Sequence, residues 1–470
     1  MELHVRLEGR SGLARQIYRQ IRAAIAGGRL KRGDRLPPTR ELAQRLDVSR
    51  NTVALAFEWL VAEGLLSGRT GAGTFVENDP LARGGRKPSG AQIRHRAIWN
   101  ELTILGQRGP APPYDFGVGT PDVRLFPFDA WRRLQARQLR VSELAAGYGD
   151  PAGHPKLREM IARHVAVARG AICRPEDVIV TNGAQQAFDL IARVLLEPNA
   201  QVAVEEPGYP PPRMLFESLG ARVAGVPVDD AGLDVAALPD QARLVYVTPS
   251  HQFPLGMPMS HPRRQALLDW AERRNAVIIE DDYDTEFRFG GRPLETLQAS
   301  DRSGRVIYVG SFSKSMLPAL RLGFMIAPEP LQKILQTANF VAGWHSPWPT
   351  QAALAAFMEK GLFVRHIRKM RREYAARHDR IVRTLARDFS RWLDPVVAET
   401  GMHVCATLRS QSVRREGELA ARARKAGVGV DRLSKYCRVA ERAGFVFGYG
   451  AIPTAKIDEG LRRLHACLAQ

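Results

Sequence analysis

Five short apolar runs, each closed by turn residues and separated by stretches of helical pattern, constrain this chain most. They are Val178-Ile179-Val180, Val202-Ala203-Val204, Leu244 to Val247, Val277-Ile278-Ile279 and Val306 to Val309. Runs so short and continuously apolar suit strands buried on both faces, with helices covering them. The expected fold class is therefore α/β with a mostly parallel sheet, over residues 113–470. Open sheets of this kind bind ligands beyond the carboxyl ends of their strands. The residues following each run therefore matter most. No internal repeat is present.

Those residues are chemically complementary. After Val180, Thr181-Asn182-Gly183-Ala184-Gln185 opens a helix whose free N–H groups and positive dipole end can cradle phosphate. After Val204 comes Glu206-Pro207-Gly208-Tyr209, an aromatic able to stack on a flat ring. After Val247 comes Thr248-Pro249-Ser250-His251-Gln252, and after Ile279 the acidic cluster Glu280, Asp281, Asp282, Tyr283 and Asp284. Val309 leads into Gly310-Ser311-Phe312-Ser313-Lys314, in a chain where lysine supplies only ten of the 68 basic residues. A lone lysine in such a place is ordinarily a surface loop residue. A lysine in a partly desolvated site has a lowered pKa and can form a Schiff base with an aldehyde. Five strands delivering a lysine, a carboxylate, phosphate donors and an aromatic to one edge fit pyridoxal 5′-phosphate.

Residues 1–77 follow a different pattern. Leu13, Ile17, Ile21 and Ile25 make one helical stripe, and Gly27, Gly28 and Gly33 break it. Pro37 and Pro38 precede Thr39, expected to cap a second helix reaching Leu46. Ser49 is expected to cap a third, in which Val53, Phe57, Leu60 and Val61 form the apolar face. Leu65-Leu66 and Thr74-Phe75-Val76 read as short strands around Gly68, Gly71 and Gly73, which suit a tight hairpin. A short turn before Ser49-Arg50-Asn51-Thr52 is helix-turn-helix spacing. Arg50, Asn51 and Thr52 would then reach bases or phosphates, Arg40 a phosphate, and Arg69 and Thr70 the backbone beside a hairpin tip. A small helical domain that binds protein would show the same periodicity.

Residues 78–112 hold many Pro and Gly together with Arg83, Arg86, Lys87, Arg94 and Arg96, the composition of a linker, with at most a short helix near 98–105. The formal net charge of +19 is compatible with a polyanionic partner, although general arginine enrichment would also produce it. Cys173, Cys405, Cys437 and Cys467 are scattered, which argues against zinc and disulfides and for a reducing compartment. The charged first ten residues predict no signal peptide, and no apolar run approaches a membrane span. A cytoplasmic location is expected.

Two sets of motifs carry a family resemblance. Gly33 to Ala43, Val48 to Val53, Glu63 to Leu66 and Gly71 to Val76 resemble the GntR winged-helix signature. Gly147 to Gly153, Thr181 to Gln186, Glu206 to Pro210, Thr248 to Gly256, Glu280 to Phe289 and Ser311 to Gly323 resemble fold-type-I aminotransferases. Their order resembles the MocR subfamily of GntR regulators. The resemblance implies a winged helix joined to a pyridoxal-phosphate domain with a smaller C-terminal α+β subdomain, and double-stranded operator DNA as partner. It implies that Lys314 forms the Schiff base, Asp281 pairs with the pyridine nitrogen, Tyr283 contacts the ring hydroxyl and Tyr209 stacks on the ring. Gly183, Ala184, Gln185, Ser311, Ser313 and Arg321 would surround the phosphate. Tyr148 would reach the phosphate of a neighbouring subunit, which implies a homodimer with shared sites.

The chain departs from the aminotransferase pattern in three places. Phe253 stands where the Asn of an Asn-Pro-x-Gly turn contacts the ring hydroxyl. Val446 stands where an arginine clamps the substrate carboxylate, and Pro211 where GABA-responsive members carry a second arginine. Without an arginine fork, bidentate carboxylate recognition is lost. The expectation is a regulator that senses pyridoxal phosphate itself and controls vitamin B6 genes (the PdxR type). A regulator responding to an amino acid, a working aminotransferase with an appended DNA-binding domain, and a cofactor-free scaffold remain as alternatives.

Overall fold

The computed structural model describes residues 5–9, 11–69, 71–77, 94–104, 110–140, 147–290, 295–396, 398–439 and 442–469. Thr70 and residues 78–93 and 105–109 of the expected linker lie outside them. The chain divides into two compact units, residues 1–95 and 96–470.

The first unit contains α1 (Leu13–Ala26), β1 (Arg35–Leu36), α2 (Thr39–Arg45), α3 (Arg50–Ala62), β2 (Leu66–Arg69) and β3 (Gly73–Val76). Ile17, Ile21 and Ile25 of α1 and Val53, Phe57 and Leu60 of α3 share one core, to which Leu36, Leu66 and Val76 contribute. The β2–β3 hairpin forms as the glycines predicted, and β1 adds to it antiparallel, a strand too short to read from sequence. Two expectations are corrected. Thr39 is the first residue of α2 rather than its cap: the extended Pro38 (φ −53°, ψ 144°) fills the cap position. Val61 is 46% exposed, because the buried face of α3 runs through Val53, Ala56, Phe57 and Leu60.

The second unit opens with α4 (Ile98–Glu101), one turn of the expected 98–105 helix, and β4 (Tyr114–Asp115). Its main sheet comprises β5 (Val178–Thr181), β6 (Gln201–Glu206), β7 (Arg222–Asp229), β8 (Gly232–Leu233), β9 (Ala242–Val247), β10 (Val277–Asp282), β11 (Val306–Ser311) and β12 (Gly323–Ile326). Their spatial order is β5-β12-β11-β10-β9-β6-β7-β8. All five predicted runs are strands and run parallel, and β7 pairs parallel with β6. The exceptions are β12, antiparallel between β11 and β5, and β8, antiparallel on the edge. Apolar clusters fill both faces of this sheet, one around Phe188, Ile191 and Leu244, the other around Val245, Leu267 and Ile278.

A smaller antiparallel sheet follows, from β13 (Leu393–Val396), β14 (His403–Leu408), β16 (Asp431–Arg432) and β17 (Gly444–Gly448), while β15 (Val428–Gly429) pairs with β4. The long helix Leu362–Asp388 buries Ile367, Met370, Tyr374, Ile381 and Leu385 in the same cluster as Phe445 and Phe447 of β17. Its buried Arg377 meets Asp122 at 2.7 Å. Among the described residues, no helix is long and apolar enough to cross a membrane.

Candidate cofactor pocket and nucleic-acid interface

The carboxyl ends of the parallel strands open into a cavity of about 780 Å³ within the second unit. Ala184, Gln185, Tyr209, Asp281, Tyr283, Ser311, Ser313, Lys314 and Arg321 all line it. Folding therefore brings together nearly every residue singled out for the cofactor.

One end suits a phosphate. Gly183 caps the helix Ala184–Leu195 with φ 83°, a conformation strained for any residue with a Cβ, and such a Cβ would stand 2.8 Å from Arg321 Nη2. Arg321 itself has φ 50° and donates to the Asn182 carbonyl at 2.7 Å, which holds its guanidinium over the helix start. A Cβ on Gly323 would meet Gly183 Cα at 2.8 Å, so the two turns touch through glycine alone. The Ser313 N–H donates to Ser311 Oγ at 3.1 Å, fixing the bend after β11.

Elsewhere in the lining, Asp281 on β10 is 4% exposed and accepts from Tyr246 Oη at 2.5 Å on Oδ2. Its Oδ1 is buried and has no hydrogen-bond partner among the described residues. Burial raises this carboxyl to about 7. A buried carboxylate oxygen left unsatisfied is costly, and a ring N–H would satisfy it. Lys314 Nζ donates to the Gly119 carbonyl at 2.7 Å, and desolvation lowers its pKa while Asp284 and Asp281 oppose the fall. Tyr209 meets Phe253 edge-on, with ring centroids 5.3 Å apart. Tyr283 Oη lies 3.0 Å from both the carbonyl and Nδ1 of His251. A phosphate cradle, a reactive amine, a carboxylate with an orphan oxygen and flanking aromatic rings fit a phosphorylated pyridine aldehyde.

Not every expected residue joins this set. Tyr148 is 76% exposed and packs at a tilt against Trp344, with ring centroids 4.0 Å apart, outside the cavity lining of its own chain. Val446 lies in β17, fully buried with Val228, Leu255, Cys405 and Leu433, and does not line the cavity. Phe253 and Pro211 do line it. Sequence reasoning missed Gly119, Met402, His403, Asp431, Lys435 and Tyr436, which reach the cavity from the β4 loop and the smaller sheet. The paired glycines of Gly117-Val118-Gly119-Thr120 were the one available signal.

In the first unit, Ser49 Oγ accepts from the Thr52 N–H at 3.1 Å and lies 2.9 Å from its hydroxyl. Both side chains thus hold the start of α3. Arg50 and Asn51 in its first turn and Arg40 in α2 are exposed. Arg69 ends β2, exposed, with its guanidinium 4.9 Å from the centre of the Phe75 ring.

Comparison with known proteins places this architecture. Residues 13–76 match the family of bacterial regulatory proteins of the gntR type, and residues 112–463 match aminotransferase class I and II. A probable rhizopine catabolism regulatory protein, MocR of Rhizobium meliloti, is 38% identical across 96% of this chain and 93% of its own. The chain belongs to the MocR-type GntR regulators. The pyridoxine biosynthesis transcriptional regulator PdxR of Corynebacterium glutamicum is 34% identical, over 93% of this MocR-type chain and 91% of its own. Among solved structures, α-aminoadipate aminotransferase LysN of Thermus thermophilus, bound to N-(5′-phosphopyridoxyl)-L-leucine, is 29% identical with TM-score 0.68, over 76% of this chain and 92% of that one. A kynurenine aminotransferase of Pyrococcus horikoshii is 25% identical with TM-score 0.70, over 83% and 98% respectively. The fold is that of a GntR domain followed by a fold-type-I aminotransferase domain.

Proposed function

We propose that this regulator binds pyridoxal 5′-phosphate at Lys314 and that occupancy of this site changes its affinity for operator DNA. In this reading residues 1–77 read DNA, 78–112 tether and 113–470 sense. The observation that carries the reading is the convergence of Lys314, the orphan oxygen of Asp281 and the Gly183–Arg321 cradle on one cavity. When bound, the cofactor supplies an aldehyde that condenses with a primary amine. Lys314 would hold that carbon, Asp281 the ring nitrogen, Tyr283 the ring hydroxyl and Tyr209 the ring face. Gly183, Ala184, Gln185, Ser311, Ser313 and Arg321 would hold the phosphate. The PdxR relative and the absence of an arginine at positions 446 and 211 support the cofactor itself as effector, with vitamin B6 genes as targets. The exposed Tyr148 supports a homodimer in which it completes a neighbour's site. A cytoplasmic location follows from this role.

A second reading has one observation in its favour: Pro211, Lys435 and Tyr436 also line the cavity and have no cofactor role, so they are available to an amine-bearing effector. Binding to the gene's own upstream DNA, with cofactor-free protein, with pyridoxal phosphate, and with pyridoxal phosphate plus amino acids, separates the two. A change on cofactor alone that Lys314→Ala abolishes supports the first. A change only when an amino acid joins the cofactor supports the second. An unchanged cofactor response in Lys314→Ala refutes the mechanism.

A further inference from the structure

Behind Tyr283 lies a buried histidine–carboxylate pair to which the reading above assigns no role. His251 sits in the turn after β9 and Asp284 in the turn after β10. Their side chains are 0% and 1% exposed, with His251 Nδ1 2.9 Å from Asp284 Oδ1. Asp284 Oδ2 accepts the Met402 N–H at 3.0 Å. A carboxylate so placed fixes the imidazole proton on Nδ1. His251 Nε2 is buried and has no hydrogen-bond partner among the described residues. The backbone of Gly401 clamps the pair: a Cβ there would stand 1.9 Å from His251 Cε1 and 2.8 Å from Asp284 Oδ2.

His251, Asp284 and His403 also bring three potential metal-ligand atoms within 4.8 Å of one another. Two ring nitrogens of this group are already taken by hydrogen bonds. His403 Nε2 lies 3.1 Å from the Pro254 carbonyl, so that nitrogen carries its proton and offers no lone pair. His251 Nδ1 is likewise committed to Asp284. What remains is its second contact, the 3.0 Å approach to Tyr283 Oη.

We propose that His251, oriented by Asp284, is a positioning residue that shares its one Nδ1–H between Asp284 Oδ1 and the Tyr283 hydroxyl oxygen in a three-centre bond, and so frees the tyrosine proton for the ring hydroxyl of the cofactor. A tyrosine hydroxyl has one proton and accepting lone pairs. Filling a lone pair from behind strengthens the hydrogen bond donated in front. Without the cofactor, that proton has the His251 carbonyl, 3.0 Å away, as its acceptor. A stronger bond to the ring hydroxyl stabilises negative charge on that oxygen and lowers the proton affinity of the nitrogen joining Lys314 to the cofactor. Other titratable groups face this chain: Asp281 and Lys314 in the cavity, His403 with its ring 4.7 Å from His251, and His378 and Tyr449 from the elements packed behind. All are unchanged in the variants below.

The inference rests on the cofactor reading. Its test uses the full chain loaded with pyridoxal phosphate, with visible absorbance followed against pH. His251→Phe is expected to raise the midpoint of the absorbance change by about one pH unit. His251→Asn, whose amide N–H can stand where Nδ1–H stood, is expected to restore it. In a Tyr283→Phe background, His251→Phe is expected to shift nothing further, because the chain is already cut. An unmoved midpoint in folded, loaded His251→Phe overturns the proposal, as does an equal shift in the Tyr283→Phe background. Should His251→Phe not fold, His251→Leu carries the same two comparisons. A wild-type protein with no Lys314-dependent band would overturn the cofactor reading and this inference with it. Normal uptake with an unmoved midpoint overturns the inference alone.

Discussion

Asp281→Asn is expected to act in opposite directions in the cofactor-free and cofactor-loaded protein. In the free protein burial raises the carboxyl from its ordinary range near 4 to about 7, so keeping it ionised costs about 4 kcal/mol, at about 1.4 kcal/mol per pH unit. From about pH 4 to pH 7 the folded protein holds a proton that the unfolded chain has already released. Stability contributed by this group therefore falls as pH rises through that window. Asn keeps the shape, accepts from Tyr246 and never ionises, but leaves an amide N–H unmatched at about 1–2 kcal/mol. The free variant is thus expected to gain about 2 kcal/mol over wild type at about pH 8, an advantage that disappears towards pH 5. With cofactor bound, the variant lacks the carboxylate that would pair with a protonated ring nitrogen. Affinity for pyridoxal phosphate is then expected to fall about 100-fold, equivalent to about 3 kcal/mol. Denaturant unfolding at the two pH values and a fluorescence titration with the cofactor measure both arms. A free variant less stable than wild type at pH 8, or one that binds cofactor undiminished, would refute this account of Asp281.

Other outcomes follow from the same geometry. Gly183→Ala is expected to displace the Arg321 guanidinium and weaken pyridoxal phosphate about tenfold or more, with little effect on unphosphorylated pyridoxal, as competition binding would show. Arg50→Ala is expected to cost operator binding about 1–3 kcal/mol and relax preference at one base pair, read by titrating a panel of single-base operator variants. Arg40→Ala is expected to weaken all sequences alike and reduce the salt slope of binding by about one, measured across ionic strengths. Ser49→Ala removes the cap bond of α3 and is expected to cost the DNA-reading unit about 1 kcal/mol, visible in its unfolding transition.

The five parallel strands were legible because each is a continuous apolar run, and the site was legible where its residues directly follow those strands. β7 escaped because Arg222 to Asp229 is buried at only Val226 and Val228, so it lacks such a run. β12 has four buried residues, too few to tell strand from helix by period. The remaining wall of the cavity was illegible for a different reason. Gly119 lies 195 residues from the lysine it accepts from, His403 opens β14, and Lys435 and Tyr436 sit in the short 3-10 turn after β16, none of them following one of the five apolar runs. Thr39 shows that a good capping residue yields to a proline that already holds the extended geometry. The exposed Val61 shows that a four-residue spacing alone leaves the helix face uncertain by one position.

The reversed strand β12 has a consequence for how ligands meet this protein. The chain leaves the sheet at Ser311, passes through Lys314 and Arg321, and re-enters at Gly323, where the Phe312 N–H bonds the Leu322 carbonyl at 3.1 Å and closes the base of the excursion. Both ends of this segment are therefore stitched into the interior, and its reactive amine and its guanidinium are already held by the Gly119 and Asn182 carbonyls. Such a mould spends little ordering entropy on capture. The residues left facing an effector, Pro211, Lys435 and Tyr436, stand on other elements, so what is sensed can change while this segment stays as it is.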